Sequence, residues 1–448
     1  MSKKKAKNDG ASEREDRSDQ GDAARKPNWK QYTASVEDIQ NFLMDRILLR
    51  YNVITRRVEY RLPYVPQAYR ENGCSAPQPP DSEDEGWQPI SDRMINSLWS
   101  ELSATKVVRA QDIYRVLESD FVPDYNPFLF YLERLPPWNG DDHILGMSVT
   151  VQVKGGVEEQ LLFAQYLKKW LVAMVAGWID PQVVNNVILV LIGAQGLYKT
   201  TWFNYLLPPE LRAYFYTKTN SGRMGRDDLL TLALYGLVCC EELDTMRPSE
   251  LNQLKAAVTM PSIDERAAYA HFHEHRQHIA SFCGTGNNPQ FLSDPTGNRR
   301  WLPFEVVSID SPRDHPFDYQ GIYAQAYALY KQGFQYWFSK AEIDRLSLHN
   351  EQFETPRLEN ELVALYFRKP IGVEGGEFMS VANALQIISA NISQKLSCVY
   401  VGRAFNELGF QRIKTGGRRG YVVVQRTSAD IQAYKRQMVD NADPDDGQ

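Results

Sequence analysis

The sequence is poor in cysteine, and its five cysteines are not placed as clustered cysteines would be. Cys74, Cys239, Cys240, Cys283 and Cys398 form no CxxC pair and no Cys/His set with zinc-like spacing. That excludes a disulfide framework or a zinc motif and points to a reducing, cytoplasmic setting. The polar, mixed-charge stretch 1–30 has no apolar segment of the kind a secretory leader needs. Long hydrophobic runs are missing too. The most apolar stretch, Leu161 to Ile179, is interrupted by Gln165, Lys168 and Lys169, so it reads as a buried helix and not as a membrane span. Neither sign of charge dominates. A net charge of −6 over 448 residues excludes a wholly basic nucleic-acid coat but not local basic patches. No internal repeat is visible.

What is present divides the chain into segments. Residues 1–30 read as a disordered tail rich in Lys, Asp, Glu and Ser. Residues 31–90 form a small region, a helix followed by a strand whose alternation runs from Val53 to Tyr60. Pro77, Pro79, Pro80 and the acidic run 81–85 mark a boundary near 90. A helical region covers 91–180, an α/β core 181–310, and a helical lid or linker 311–365. A small unit at 366–428 and an acidic tail at 429–448 complete the chain.

The core announces itself at Val187 to Ile192, a continuous apolar run of the kind a buried parallel strand shows. It ends in Gly193-Ala194-Gln195-Gly196-Leu197-Tyr198-Lys199-Thr200-Thr201, which has the spacing of a phosphate-binding loop except that Tyr198 stands where a second glycine is usual. Such a loop turns backbone N–H groups toward phosphate at a helix N-terminus. Lys199 is expected to neutralise β- and γ-phosphate charge, and Thr200 to ligate Mg²⁺. Gly196 can supply an unusual backbone angle, whereas Tyr198 at positive φ would be strained. ATP with Mg²⁺ is the ligand this loop predicts.

A second apolar strand, Leu237 to Cys240, ends in Glu241-Glu242. Carboxylates at that place in phosphate-loop ATPases hold the magnesium shell and polarise the attacking water. Glu241 is assigned to the metal and Glu242 to the water, the reverse remaining open, with Asp244 a third candidate. A third strand, Ile279 to Cys283, runs into Gly284-Thr285-Gly286-Asn287-Asn288. Asn287, before Thr285 and Asn288, is the expected contact to the γ-phosphate or water. Arg299 or Arg300 is a candidate arginine finger supplied by a neighbouring subunit. Between the second and third strands lies a stretch that alternates aromatic and basic residues. It predicts a hairpin presenting Arg266, Tyr269, His271 and His273 to a nucleic-acid strand, or else an ordinary solvated hairpin. In a strand His271, His273 and His275 would share one face, but Glu274 would point to the other and no cysteine is near, which argues against a metal site.

Toward the C-terminus, Val381 to Ala390 and Val399 to Leu408 read as helices and Phe410 to Gln425 as a hairpin turning at Gly416-Gly417. Helix, helix, basic hairpin is the order of a winged-helix domain. In that arrangement the second helix, with Tyr400, Arg403 and Asn406, faces a major groove, and Arg412, Lys414, Arg418 and Arg419 meet phosphates. A protein-docking domain with a solvated wing is the other reading.

These motifs together resemble the virulence-associated protein E family, especially its Bacteroidetes branch with a small C-terminal domain. The residues that carry the likeness are Leu135-Pro136-Pro137-Trp138, the loop through Trp202, Glu241-Glu242-Leu243-Asp244, and Thr285-Gly286-Asn287-Asn288 through Gly297-Asn298-Arg299-Arg300. The resemblance covers roughly 95–307 and implies an AAA+-type P-loop ATPase similar to superfamily 3 helicases. It implies a helical N-terminal region, a winged-helix-like C-terminal domain, and tolerance of Tyr before the loop lysine. It further implies DNA, single-stranded or forked, as partner, a homo-oligomer such as a hexamer, and a separate primase nearby. The expected activity is ATP-dependent unwinding in replication of a mobile element or prophage. A regulatory or defence NTPase, and a DNA-binding scaffold with a degenerate nucleotide site, are the alternatives.

Overall fold

The computed structural model describes residues 32–63, 86–219, 225–265, 274–292, 295–355, 358–372, 375–390, 392 and 396–442. They belong to two compact units, Met1–Asn126 and Pro127–Gln448.

In the first unit, helix α1 (Val36–Arg46) starts at Ser35, whose side chain accepts from the Asp38 amide while Asp38 reaches back to the Ser35 amide. Strands β1 (Leu48–Asn52), β2 (Arg57–Arg61), β3 (Gln88–Pro89) and β4 (Asp124–Tyr125) make a sheet in the order β3-β2-β1-β4. The alternation from Val53 to Tyr60 predicts one strand, but the chain turns there into a hairpin. The Asn52 side chain accepts from the amides of Ile54 and Thr55, and Arg56 takes a left-handed φ of 55°. Helices α2 (Asp92–Ser103) and α3 (Ala110–Leu117) pack with α1 around Leu43, Val58, Leu98 and Ile113. That core therefore runs across position 90, where the proline-rich acidic segment suggests a boundary.

The second unit begins with α4 (Pro127–Glu133), α5 (His143–Ser148), β5 (Val151–Val153) and α6 (Gly156–Ile179). Helix α6 contains the apolar stretch and buries it inside the protein: Trp170 and Trp178 donate their indole N–H groups to the carbonyls of Phe282 and Gly236. Its lysines turn to carboxylates, Lys168 to Asp142 and Lys169 to Glu342. Among the described residues no helix is long and apolar enough to cross a membrane.

The chain then alternates through β6 (Ile188–Ile192), α7 (Lys199–Leu206), β7 (Phe215–Lys218), α8 (Arg226–Leu234), β8 (Leu237–Cys240), α9 (Pro248–Val258), the short strands β9 (Ser262–Glu265) and β10 (Glu274–Gln277), β11 (Ser281–Gly286) and β12 (Trp301–Ile309). The main sheet has the order β5-β12-β6-β11-β8-β7, parallel except for the β5 edge. All five residues of β6 are buried, as its unbroken apolar pattern requires. Strand β11 runs three residues beyond Cys283, the expected end, because β6 pairs with it as far as Gly286. Strands β9 and β10 do pair antiparallel, but the tip with Arg266, Tyr269, His271 and His273 lies outside the described residues.

Helices α10 (Tyr319–Lys331) and α11 (Lys340–Asn350) follow. The last part of the unit contains α12 (Leu358–Tyr366), β13 (Phe367–Arg368), β14 (Glu377–Met379), α13 (Val381–Ser389), α14 (Cys398–Glu407), β15 (Arg412–Thr415), β16 (Arg418–Gln425) and α15 (Ser428–Ala442). Strand β16 pairs antiparallel with β13, β14 and β15 around a separate core built on Phe367, Ala404, Phe405 and Val423.

Candidate functional site

Three adjacent parallel strands, β6, β11 and β8, end at the same edge of the sheet, and the register sets Gly286 beside Ile192 and Gly284 beside Cys240. Whatever follows each strand is thereby gathered at one place. After β6 comes the loop. The Gly193 amide donates to Gly286 O at 3.1 Å, and a Cβ on Gly193 would stand 2.7 Å from Val306 O, so no larger residue fits. The amides of residues 194–198 have no partner among the described residues, which leaves them available to an anion at the start of α7.

Gly196 and Tyr198 both take left-handed backbone angles, φ 89° and 58°. The usual glycine position therefore keeps its conformation with a tyrosine in it, at the strain expected for an L residue. The Tyr198 ring is 47% exposed and has little packing to lose. Tyr198→Gly should therefore raise the unfolding free energy by up to about 1 kcal/mol. A denaturant titration that found it lowered would mean the ring makes contacts worth more than the strain.

Lys199 is only 8% exposed. Its ammonium donates to Gly193 O at 2.7 Å, Ala194 O at 2.8 Å and Asn287 Oδ1 at 3.4 Å. All three partners are neutral. Burial lowers its pKa from the ordinary lysine value, opposed in part by the Asp244 carboxylate. Thr200 donates its hydroxyl to Glu241 Oε1 at 2.9 Å, joining the loop to the end of β8. Glu242 follows with φ 53°, exposed, its carbonyl accepting from the amide and hydroxyl of Thr245. Two of the three described non-glycine residues at positive φ, Tyr198 and Glu242, thus belong to this one site.

Lys199, Thr200, Glu241 and Asn287 are brought together by direct hydrogen bonds. Thr285 is buried within β11, and Asn288 is engaged through its amide by Asp244 Oδ2 at 3.1 Å. The Asp244 Oδ1 atom is buried without a hydrogen-bond partner among the described residues. Lys218, at the end of β7, carries no signal in the sequence. It is buried, pairs with Asp228 at 2.5 Å, and offers its carbonyl to the Glu241 amide. No motif surrounds it, so only the strand order reveals it.

Arg299 and Arg300 are not brought to the loop. They precede β12, whose first residue Trp301 pairs with Ile188, at the opposite end of β6 from Gly193. Asn350, fully buried in α11, holds this turn by donating to Asn298 O and Trp301 O. Of the C-terminal candidates, Arg412, Lys414, Arg418 and Arg419 are exposed on the β15–β16 hairpin. Arg403 lies over the Tyr400 ring, and Asn406 accepts from the Tyr421 hydroxyl.

A family model described as the virulence-associated protein E-like domain matches residues 132–355, half of the chain. The chain belongs to this family. The match to the virulence-associated protein E-like domain takes in the whole loop, both strand-end carboxylates and the arginine pair. No curated protein matches. Among solved structures, the apo structure of the NrS-1 C terminal region (305-718) is similar at 11% identity over 87% of this chain and 98% of that one, with a TM-score of 0.44. An A form apo structure of the same region gives 12% identity over 86% and 98%, with a TM-score of 0.41.

Proposed function

We propose that the chain is an ATP-dependent DNA motor, an AAA+-type P-loop ATPase that acts in replication of a mobile element or prophage. One observation carries this reading. A buried ammonium, a hydroxyl–carboxylate pair and a carboxamide converge on a loop of unpartnered amides where three parallel strands end. Membership of the virulence-associated protein E-like family supports it.

The residues fit a magnesium nucleotide. The Lys199 ammonium has only neutral oxygens as partners, so it has charge to give to a polyphosphate. Thr200 and Glu241 present hard oxygen donors side by side, the donor type magnesium takes. Magnesium held there supplies charge neutralisation on the phosphate oxygens. Glu242, exposed beside Glu241, takes the proton of the water that attacks the γ-phosphorus, and the bond to the β-phosphate oxygen breaks. Asn287 orients that water or the γ-phosphate. A neighbouring copy supplies Arg299 or Arg300, so the working form is a homo-oligomer.

The unit around β16 acts as a winged-helix-like DNA contact. Lys414 stands directly opposite Arg419 across the hairpin, an unfavourable like-charge pair that an intervening phosphate would relieve. Lys414→Ala with Arg419→Ala should weaken DNA binding evenly across sequences and flatten its salt dependence by about two charges, with no loss of thermal stability. An unchanged salt slope would remove the hairpin from the DNA interface.

The motor reading is tested by ATP turnover with and without single-stranded DNA, together with strand separation on a forked duplex. Stimulation by DNA and ATP-driven separation are expected. Turnover indifferent to DNA, with no separation, would overturn it.

A further inference from the structure

A cavity of about 580 Å³ lies at the end of the sheet away from the loop, with Asn185, Arg299, Arg300, Tyr336 and Trp337 in its wall. We propose that it is a second nucleotide site, which takes one nucleoside phosphate, free or as a residue of single-stranded DNA. The inference does not depend on what the loop binds.

The two arginines are adjacent in the cavity wall and have no carboxylate partner among the described residues, an arrangement suited to phosphate. Burial and the neighbouring Arg299 lower the pKa of Arg300, the response of a cation short of an anion. Trp337 is 57% exposed although it is the largest side-chain type. An open aromatic face beside arginines is a stacking platform for a base.

Rigidity adds to this. Lys169 donates to the carbonyls of Gln335 and Trp337 and pairs with Glu342, which fixes the aromatic segment before any ligand arrives. Asn185 is 3% exposed. Its amide nitrogen donates to Trp170 O and Ser281 Oγ. Asn185 thereby ties the cavity wall to α6 and β11 and holds it in place. The volume falls within the range of small-molecule sites.

The test uses the full chain with Lys199→Ala, which removes the loop ammonium, and adds Trp337→Ala, Trp337→Phe or Arg300→Ala. Affinity is measured by calorimetry for ADP without magnesium and for a short oligodeoxyadenylate. Trp337→Ala and Arg300→Ala should each weaken at least one ligand by about tenfold, while Trp337→Phe keeps most of the affinity. Weakening of ADP assigns the site to free nucleotide, and weakening of the oligomer alone assigns it to the strand. Trp337 is exposed, so its variants should fold even where Arg300→Ala does not. If neither ligand's affinity responds to Trp337→Ala, the second site is overturned, whatever Lys199→Ala does to ATP turnover in the parent protein.

Discussion

Lys199→Ala is expected to abolish measurable ATP turnover and to weaken ATP binding by a factor of about 100 or more. The ammonium is buried against two loop carbonyls and the Asn287 amide oxygen, with no carboxylate among its hydrogen-bond partners. Its charge is therefore not spent on holding the fold. Charge-assisted bonds to phosphate contribute about 1.5–3 kcal/mol each, and an ammonium can make more than one. The truncated variant leaves Ala194 O to water but strips the buried Gly193 O of a donor, so a modest fall in thermal midpoint should accompany the loss of turnover. Equilibrium titration with ATP and a steady-state turnover assay read the loss. The same variant separates the rival readings, because a scaffold with a degenerate nucleotide site keeps both its DNA affinity and its biological effect. Undiminished turnover would remove this loop from the chemistry.

The phosphate loop could be read from the sequence because its chemistry needs contiguous residues. Glycines, a lysine and a threonine at fixed spacing, after an apolar run, leave little else to specify. The carboxylates of Glu241 and Glu242 were legible for the same reason, as the end of a short apolar strand. What could not be read depends on register. Lys218 joins the site only because β7 pairs with β8, and Asp244 gains its place only because the turn after Glu242 brings it under Gly286. Strand β12 begins directly after two arginines and is interrupted by Pro303 and Glu305, a pattern too weak to mark a central strand without its partner β6. The hairpin at Asn52 was hidden because its turn is made by an asparagine side chain and a left-handed arginine, with no glycine to signal it. The cavity beside Trp337 combines residues some 150 positions apart, and no local pattern joins them.

Arg299→Ala is expected to reduce ATP turnover by about 10³-fold or more, the range of arginine fingers, and mixing should then restore part of it. The register makes this prediction specific. Trp301 pairs with Ile188 and Glu305 with Ile192, so five residues of strand separate the arginine turn from the loop, about 16 Å at roughly 3.3 Å per residue. Within one chain Arg299 cannot touch a phosphate held by Lys199. It is exposed, whereas Arg300 is half-buried in the cavity wall, which makes Arg299 the better placed of the two to act on another copy. Glu242→Gln protein, inactive in its own site but with its arginines intact, should rescue Arg299→Ala protein when the two are combined. At a mixed interface, one copy supplies Lys199 and Glu242 and the other supplies Arg299, so one complete site forms. Turnover measured over a range of mixing ratios should pass through a maximum, and native mass measurement should show mixed oligomers. A mixture no more active than its components, with mixed oligomers present, would show that the arginine does not act across an interface. The distance along β6 would then leave it no part in hydrolysis.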